Sequence, residues 1–164
     1  DDTTASLHDR LAALTADVLA EAVADFDHLT PVPQNEAEVT WAEKISPAEA
    51  EIDFAMPADE IERRIRAFAP FPGAWFAAAQ DDGSQQRIKV LAASITGGDD
   101  PQSRGGSAAG AVLGIGAGGG PLIATGHGRL ELTRVQPQGK PVMDGAAFLN
   151  GNRLPPRISP TEPN

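Results

Sequence analysis

Three consecutive pieces of sequence, Ala74-Trp75-Phe76-Ala77-Ala78-Ala79, Asp81-Asp82-Gly83-Ser84 and Arg87-Ile88-Lys89-Val90-Leu91-Ala92-Ala93, decide the fold. The first is a short apolar run, the second has the composition of a turn, and the third alternates Ile88 and Val90 with Arg87 and Lys89. Successive strand residues point to opposite faces, so these pieces read as two strands around a turn, with Arg87 and Lys89 sharing one face. Downstream, Ala111 to Ile115, Leu122 to Thr125 and Arg129 to Val135 are three more short strands, the last two joined through Gly126-His127-Gly128. A last helical turn, Asp144 to Leu149, closes the unit before a Pro-rich tail.

Five short strands with a Gly-rich connection define a mainly β fold with helices, a small barrel or sandwich. The five-stranded oligonucleotide-binding-like barrel is one solution. Upstream the period changes. Leu7, Leu11, Leu14, Val18, Ala22, Phe26 and Leu29 recur at steps of three and four, which predicts one amphipathic helix over 7–29 with a single buried face. Thr4 or Ser6 is its capping residue, with Asp9 three positions after Ser6. Thr30-Pro31-Val32-Pro33-Gln34-Asn35 ends it, and residues 30–40 read as a linker. Ser46-Pro47-Ala48-Glu49 is a strong helix-start signature for a short helix. A further helix is expected from Pro57 to Phe68, with Ile61, Ile65 and Phe68 on one face and Glu62, Arg63 and Arg66 outside. Pro70-Phe71-Pro72-Gly73 stops it.

Composition narrows the chemistry. With 164 residues there is room for one domain and a piece of another, and zero Cys removes disulfides, thiol nucleophiles and thiolate metal sites. The three histidines, His8, His28 and His127, are far apart, so no metal site is expected. No long apolar run is present and the first residues are acidic and polar, so neither a membrane span nor a secretory leader is expected. The formal charge of −10 argues against a nucleic-acid partner only as a sum. Residues 1–39 carry nine acids and one base, residues 40–83 nine acids and four bases, whereas residues 84–164 carry eight bases and five acids. The acidic start and the basic end are therefore suited to different work.

Gly114-Ile115-Gly116-Ala117-Gly118-Gly119-Gly120 invites comparison with a dinucleotide-binding loop, but Pro121 and a strand-like segment follow it in place of a helix. The stretch Gly97 to Gly120 reads as a flexible inter-strand loop and a turn. Asp53, Glu60 and Asp81-Asp82 suit turns and a helix start, and His127 a solvated loop. Trp41 and Trp75 read as packed side chains. No catalytic constellation assembles from these residues. Arg87, Lys89, Arg104, Arg129, Arg134, Lys140, Arg153 and Arg157 all fall in or beside the β unit, and a barrel gathers strand residues from distant sequence onto one surface.

Several motifs carry a resemblance. Thr40-Trp41-Ala42-Glu43-Lys44-Ile45, Ile52-Asp53, Ile65-Arg66-Ala67-Phe68 and Pro70-Phe71-Pro72-Gly73-Ala74-Trp75-Phe76 are followed by Ile88-Lys89 and Gly126-His127-Gly128-Arg129-Leu130-Glu131-Leu132. Gln136-Pro137-Gln138-Gly139-Lys140, Met143 and Phe148-Leu149-Asn150-Gly151 complete the series. In this order and spacing they resemble the C-terminal portion of methionyl-tRNA formyltransferases. The opening segment through Leu11 looks like the last helix of that family's catalytic domain.

The resemblance implies a division of the chain. Residues 1–29 would be a helix left over from the formyltransferase domain, 30–40 a linker, 41–152 a tRNA-binding barrel domain, and 153–164 a flexible tail. It implies a cytoplasmic transferase that works in translation initiation and takes its formyl group from 10-formyltetrahydrofolate. The family's catalytic Asn, His and Asp and its folate loop belong to the preceding domain, and none of those motifs occurs here. This chain should therefore be inactive alone, with no catalytic residue, metal or cofactor of its own. Its implied partners are initiator methionyl-tRNA and the missing N-terminal catalytic domain. Arg87, Lys89, Arg129, Arg134 and Lys140 are the tRNA-binding candidates, chosen by charge and facing. The family motif supports Lys89 and Lys140 most directly. Sugar-nucleotide formyltransferases, which share a related domain, are the alternative reading. A Tyr is usual at the position of Trp41, and the glycine-rich stretch looks like an expanded family loop.

Overall fold

The computed structural model describes residues 2–80, 83–97 and 107–160. The expected turn residues Asp81 and Asp82, and Arg104, lie outside the described residues. The chain runs α1 (Thr4–Ala24), α2 (Ala58–Phe68), β1 (Ala74–Ala79), β2 (Gln85–Thr96), β3 (Val112–Ile115), β4 (Pro121–Ala124), β5 (Arg129–Pro137), β6 (Met143–Asp144) and α3 (Gly145–Leu149). It is a mixed α/β structure: helices first, then an antiparallel sheet of six strands in the order β1-β2-β5-β4-β3, with β6 also on β5. The expected five strands thus become six. Met143 and Asp144 form a strand because they lie opposite Val135 and Arg134 of β5, and a two-residue strand leaves no periodicity to read.

The β1–β2 hairpin sets every side chain's face. Trp75 lies opposite Lys89 and Ala77 opposite Arg87, so Ala74, Phe76, Ala78, Ile88 and Val90 turn inward together and are buried. β2 runs on to Thr96, three residues past the expected Ala93, because residues 88–96 take β5 as a second partner. Its register with β5 shifts between Val90 and Ala92 and again between Ala92 and Ala93. Such bulges bend a strand and raise its twist.

Helix α2 closes one side of the core with Ala58, Ile61, Ile65 and Phe68, packed near Phe54 and Phe76, whose rings meet edge-on at 5.6 Å. Its start carries no side-chain cap. Instead the carbonyl of His127 accepts from the Ala58 N–H at 2.9 Å, satisfying an amide that the helix cannot. Residues Ser46 and Glu49 do form the reciprocal capping contacts, Glu49 N–H to Ser46 Oγ at 3.3 Å and Ser46 N–H to Glu49 Oε1 at 3.4 Å. Only a turn over residues 47–50 follows, so the signature opens no helix.

Helix α1 begins earlier than expected, capped by Thr3 in a box with Ser6, and its helical run ends at Ala24, short of Leu29. The expected buried face is absent: no residue of α1 is buried, and Leu11, Leu14, Val18 and Phe26 stand more than half exposed. Its described ties to α2 are at the first turn, where Arg66 Nη1 donates to the Asp2 carbonyl at 3.0 Å and the Thr4 hydroxyl donates to the Ala67 carbonyl. Trp41, expected to be packed, is 91% exposed, whereas Trp75 is buried. Residues 156–158, within the stretch expected to be a loose tail, run beside residues 110–112. Val112 N–H donates to the Pro156 carbonyl at 2.9 Å, Ile158 N–H donates to the Gly110 carbonyl at 2.8 Å, and Ile158 enters the core.

Candidate nucleic-acid interface

The outward face of β2 is built by the same alternation that buries Ile88 and Val90. Arg87 is exposed and Lys89 half-buried on that face. The Arg87 guanidinium lies 3.5 Å from the centre of the Trp75 ring, and the ring is pinned from its other end by Trp75 Nε1 donating to the Pro47 carbonyl at 3.1 Å. A cation over an indole face gains about 0.5–1 kcal/mol at an exposed site and keeps its N–H edges in solvent. Arg87 is therefore held flat without losing its donors. Lys89 passes over Gly73, where an added Cβ would sit 3.0 Å from Lys89 Cδ. Gly73 has φ +84°, which a side chain rarely adopts, and its lack of a Cβ leaves the channel for the lysine stem.

The turn after β5 completes the site. Lys140 N–H donates to the Pro137 carbonyl at 3.0 Å and Gln138 N–H to the Arg87 carbonyl at 2.9 Å. Gln136, opposite Lys89 in the ladder, donates through Nε2 to the Lys140 carbonyl at 3.1 Å. Arg87, Lys89, Gln136 and residues 137–139 enclose a shallow cleft of about 240 Å³, with the exposed Lys140 beginning where it ends.

Of the five candidates, Arg87, Lys89 and Lys140 are thus brought together. Arg134 is exposed two residues from Gln136 on the same face of β5, with Asp144 as its cross-strand neighbour. Arg129 stands at the other end of β5, about 17 Å from Arg134 at strand rise, opposite Thr96 and Ala124, and is not part of the cleft. Sequence reasoning missed Gln136, whose amide ties the lysine turn to the strand; its position two residues from Arg134 in a strand was the available signal.

The electrostatics differ between the two parts of the chain. Arg10 pairs with Asp2, Arg63 with Asp59 at 2.9 Å and Arg66 with Glu62 at 2.6 Å. The Ser6 hydroxyl, followed by Arg10, holds the Asp2 carboxyl below its usual range; Arg63 does the same to Asp59, and Glu62 raises Arg66. Among the described residues no such ion pair engages Arg87, Lys89, Arg134 or Lys140. The Arg–carboxylate pairs of the described residues thus lie in and beside the helices, and Arg87, Arg134 and Lys140 are exposed on the sheet side.

Asp53, Glu60 and His127 make local contacts. Asp53 Oδ1 accepts from the Ala55 N–H at 2.8 Å and Glu60 lies in the first turn of α2. His127 is exposed and contributes its backbone carbonyl. Among the described residues no group of three His, Cys, Asp or Glu side chains gathers as a metal site, and no helix is long and apolar enough to cross a membrane.

The described residues thus form a helix-backed antiparallel sheet whose outer face carries Arg87, Lys89 and Arg134. Residues 44–153 match the family described as the formyl transferase C-terminal domain, and the chain belongs to that family. Proteins named methionyl-tRNA formyltransferase are similar along almost its whole length. That of Jannaschia sp. is 40% identical over 156 residues, covering 95% of this chain and 46% of the relative. That of Caulobacter vibrioides is 42% identical over 153 residues, covering 92% and 46%. The chain therefore spans about half the length of the curated relatives it matches. Among solved structures, an HypX variant from Aquifex aeolicus superposes with a TM-score of 0.63 at 18% identity, covering 92% of this chain and 26% of that one. HypX in complex with tetrahydrofolic acid gives 0.55 at 19% identity, covering 82% and 22%. These two show a shared fold.

Proposed function

We propose that this chain is the RNA-holding part of a methionyl-tRNA formyltransferase, keeping initiator methionyl-tRNA in place while a preceding catalytic domain transfers the formyl group in the cytoplasm. The observation that carries the reading is the cleft in which Arg87, Lys89 and the Lys140 turn converge with no acid among its described lining residues. Phosphate contacts need unneutralised Lys and Arg, and a guanidinium and an ammonium two residues apart on one face of a strand supply them. Arg134 extends this face; Arg129, at the far end of β5, would meet a different part of the RNA.

The sheet is read here as the five-stranded barrel with a short sixth strand added. Its support is the double bulge that bends β2 and the segment 156–158, which hydrogen-bonds beside residues 110–112 and also lines a cleft with Ala77 and Ala79 of β1. The two sheet edges thus share a neighbour. Residues 1–29 are read as the last helix of the catalytic domain, 30–40 as a linker and 41–152 as the RNA-binding domain. The open stripe of α1 would pack on that preceding domain, which also carries the formylating residues. The 10-formyltetrahydrofolate donor is read as bound by that preceding domain, together with the formylating residues.

A formylation assay with the complete gene product, offered methionyl-tRNA and an amino-sugar nucleotide in parallel, tests the reading. Formylation of the tRNA alone is expected. Formylation of the sugar nucleotide alone would overturn it in favour of the related sugar enzymes.

A further inference from the structure

The cationic face does not stop at β2. Beside the Arg87 and Lys89 cleft lies a second one of about 500 Å³, lined by Ala77, Ala79, Gln85, Pro155 and Arg157 among others. A third, about 770 Å³, opens between the end of β1 and residues 149–156 and contains Arg153. The first adjoins the second because Ala77 is the cross-strand neighbour of Arg87 and Gln85 lies two residues from it on the same face. The second adjoins the third because Ala79 and Pro155 line both. Among the described residues, every charged side chain lining the row is an Arg or a Lys.

Both added arginines lie in or beside hydrogen-bonded segments. Alternation along the paired segment buries Ile158 and turns Arg157 outward, where its Nε donates to the Ala109 carbonyl at 3.1 Å and one edge of the guanidinium is held. Arg153 is exposed beside Asn152, whose Nδ2 donates to the Phe148 carbonyl at 2.8 Å. Among the described residues no ion pair neutralises either one. Arg157 lies beyond the residues matched by the family, 44–153.

We propose that Arg153 and Arg157 continue the phosphate-binding surface of β2 across β1 and onto the C-terminal segment, so that one RNA backbone is held along the whole row. This rests on the reading of the β2 face as an RNA contact. The row suits a polyanion, since its described charges are of one sign, spaced, and carried on shallow concave ground.

Binding of initiator tRNA by the 164-residue chain, measured across a salt series, tests the proposal. Each lost phosphate contact lowers the slope of log affinity against log salt by about 0.7–0.9. Arg153→Ala with Arg157→Gln, which keeps a donor for Ala109, is expected to weaken binding about tenfold at low salt and lower the slope by about 1–2. Arg153→Lys with Arg157→Lys is expected to keep the wild-type slope. Wild-type affinity and slope in the Ala/Gln variant, with weakening by Arg87→Ala and Lys89→Ala, would overturn the extension and leave the β2 reading standing. Equal weakening in the Lys variant would also overturn it, because packing rather than charge would be at work. No tRNA binding by the wild-type chain would overturn the β2 reading and the extension with it.

Discussion

Glu131 is 3% exposed, and the glycine-rich run is arranged around it. Its Oε1 accepts from the Gly120 N–H at 3.0 Å, the loop closes by Gly116 N–H to the Gly120 carbonyl at 2.8 Å, and a Cβ on Gly116 would lie 2.3 Å from the Glu131 carboxyl carbon. The glycines of 116–120 thus make room for a buried carboxylate, a role different from both a flexible loop and a phosphate cradle. The sequence pattern at 114–120 could not show this, because the group being cradled arrives from β5, more than ten positions away. By contrast the facing of Arg87 and Lys89 was legible, since two-residue alternation is local. A Cβ on Gly120 would lie 2.2 Å from the Leu132 carbonyl oxygen, a backbone atom that cannot swing aside. Gly120→Ala is therefore expected to cost about 2–3 kcal/mol in chemical denaturation; an unchanged midpoint would contradict this packing. At the surface, the Arg63 hydrogen bond keeps Asp59 below the ordinary aspartate range. A depressed folded-state value means the pair's contribution is present above the unfolded value and lost as pH falls through the folded one. Arg63→Ala should move the NMR-observed titration of Asp59 upward, with little effect on stability near neutrality, as expected of an exposed pair.

Two helices with apolar residues at helical spacing have opposite fates. α2 buries Ile61, Ile65 and Phe68 against the sheet, while α1 buries nothing despite its longer repeat. Periodicity reports that a face is suited to burial and is silent on what will cover it, so the helix was legible and its environment was not. Ile65→Ala should cost about 2–5 kcal/mol. Leu11→Ala with Leu14→Ala in the same chain should change the unfolding free energy of the sheet core by no more than about 0.5 kcal/mol. A large loss in the double variant would show that α1 packs on the domain after all. The Ser46 to Glu49 box teaches the same lesson at smaller scale: the capping hydrogen bonds form, but a single turn is all that follows before residues 50–54 join the core.

Across the whole molecule the charge of −10 divides in space much as it does in sequence. Asp2, Asp59 and Glu62 of the N-terminal part pair with Arg10, Arg63 and Arg66, whereas Arg87, Arg134 and Lys140 on the sheet side are exposed to solvent. The exposed run of Leu7, Leu11, Leu14, Val18, Leu19, Val23 and Phe26 is a large apolar strip for a soluble surface. The chain is expected to bind a hydrophobic dye and to self-associate at high concentration; a monodisperse monomer that leaves the dye dark would contradict the proposal that α1 packs on a catalytic domain. What the composition could not supply was the convergence of Arg87, Lys89 and the Lys140 turn, which depends on β2 and β5 being neighbours. The most direct test of that convergence is the affinity of the chain for initiator tRNA at low salt, with and without the combined substitutions Arg87→Ala, Lys89→Ala and Lys140→Ala. The account predicts salt-sensitive binding by the wild-type chain that falls at least about tenfold in the triple variant, with a salt slope lower by about 2–3. Equal affinity and equal slope for the two proteins would contradict it.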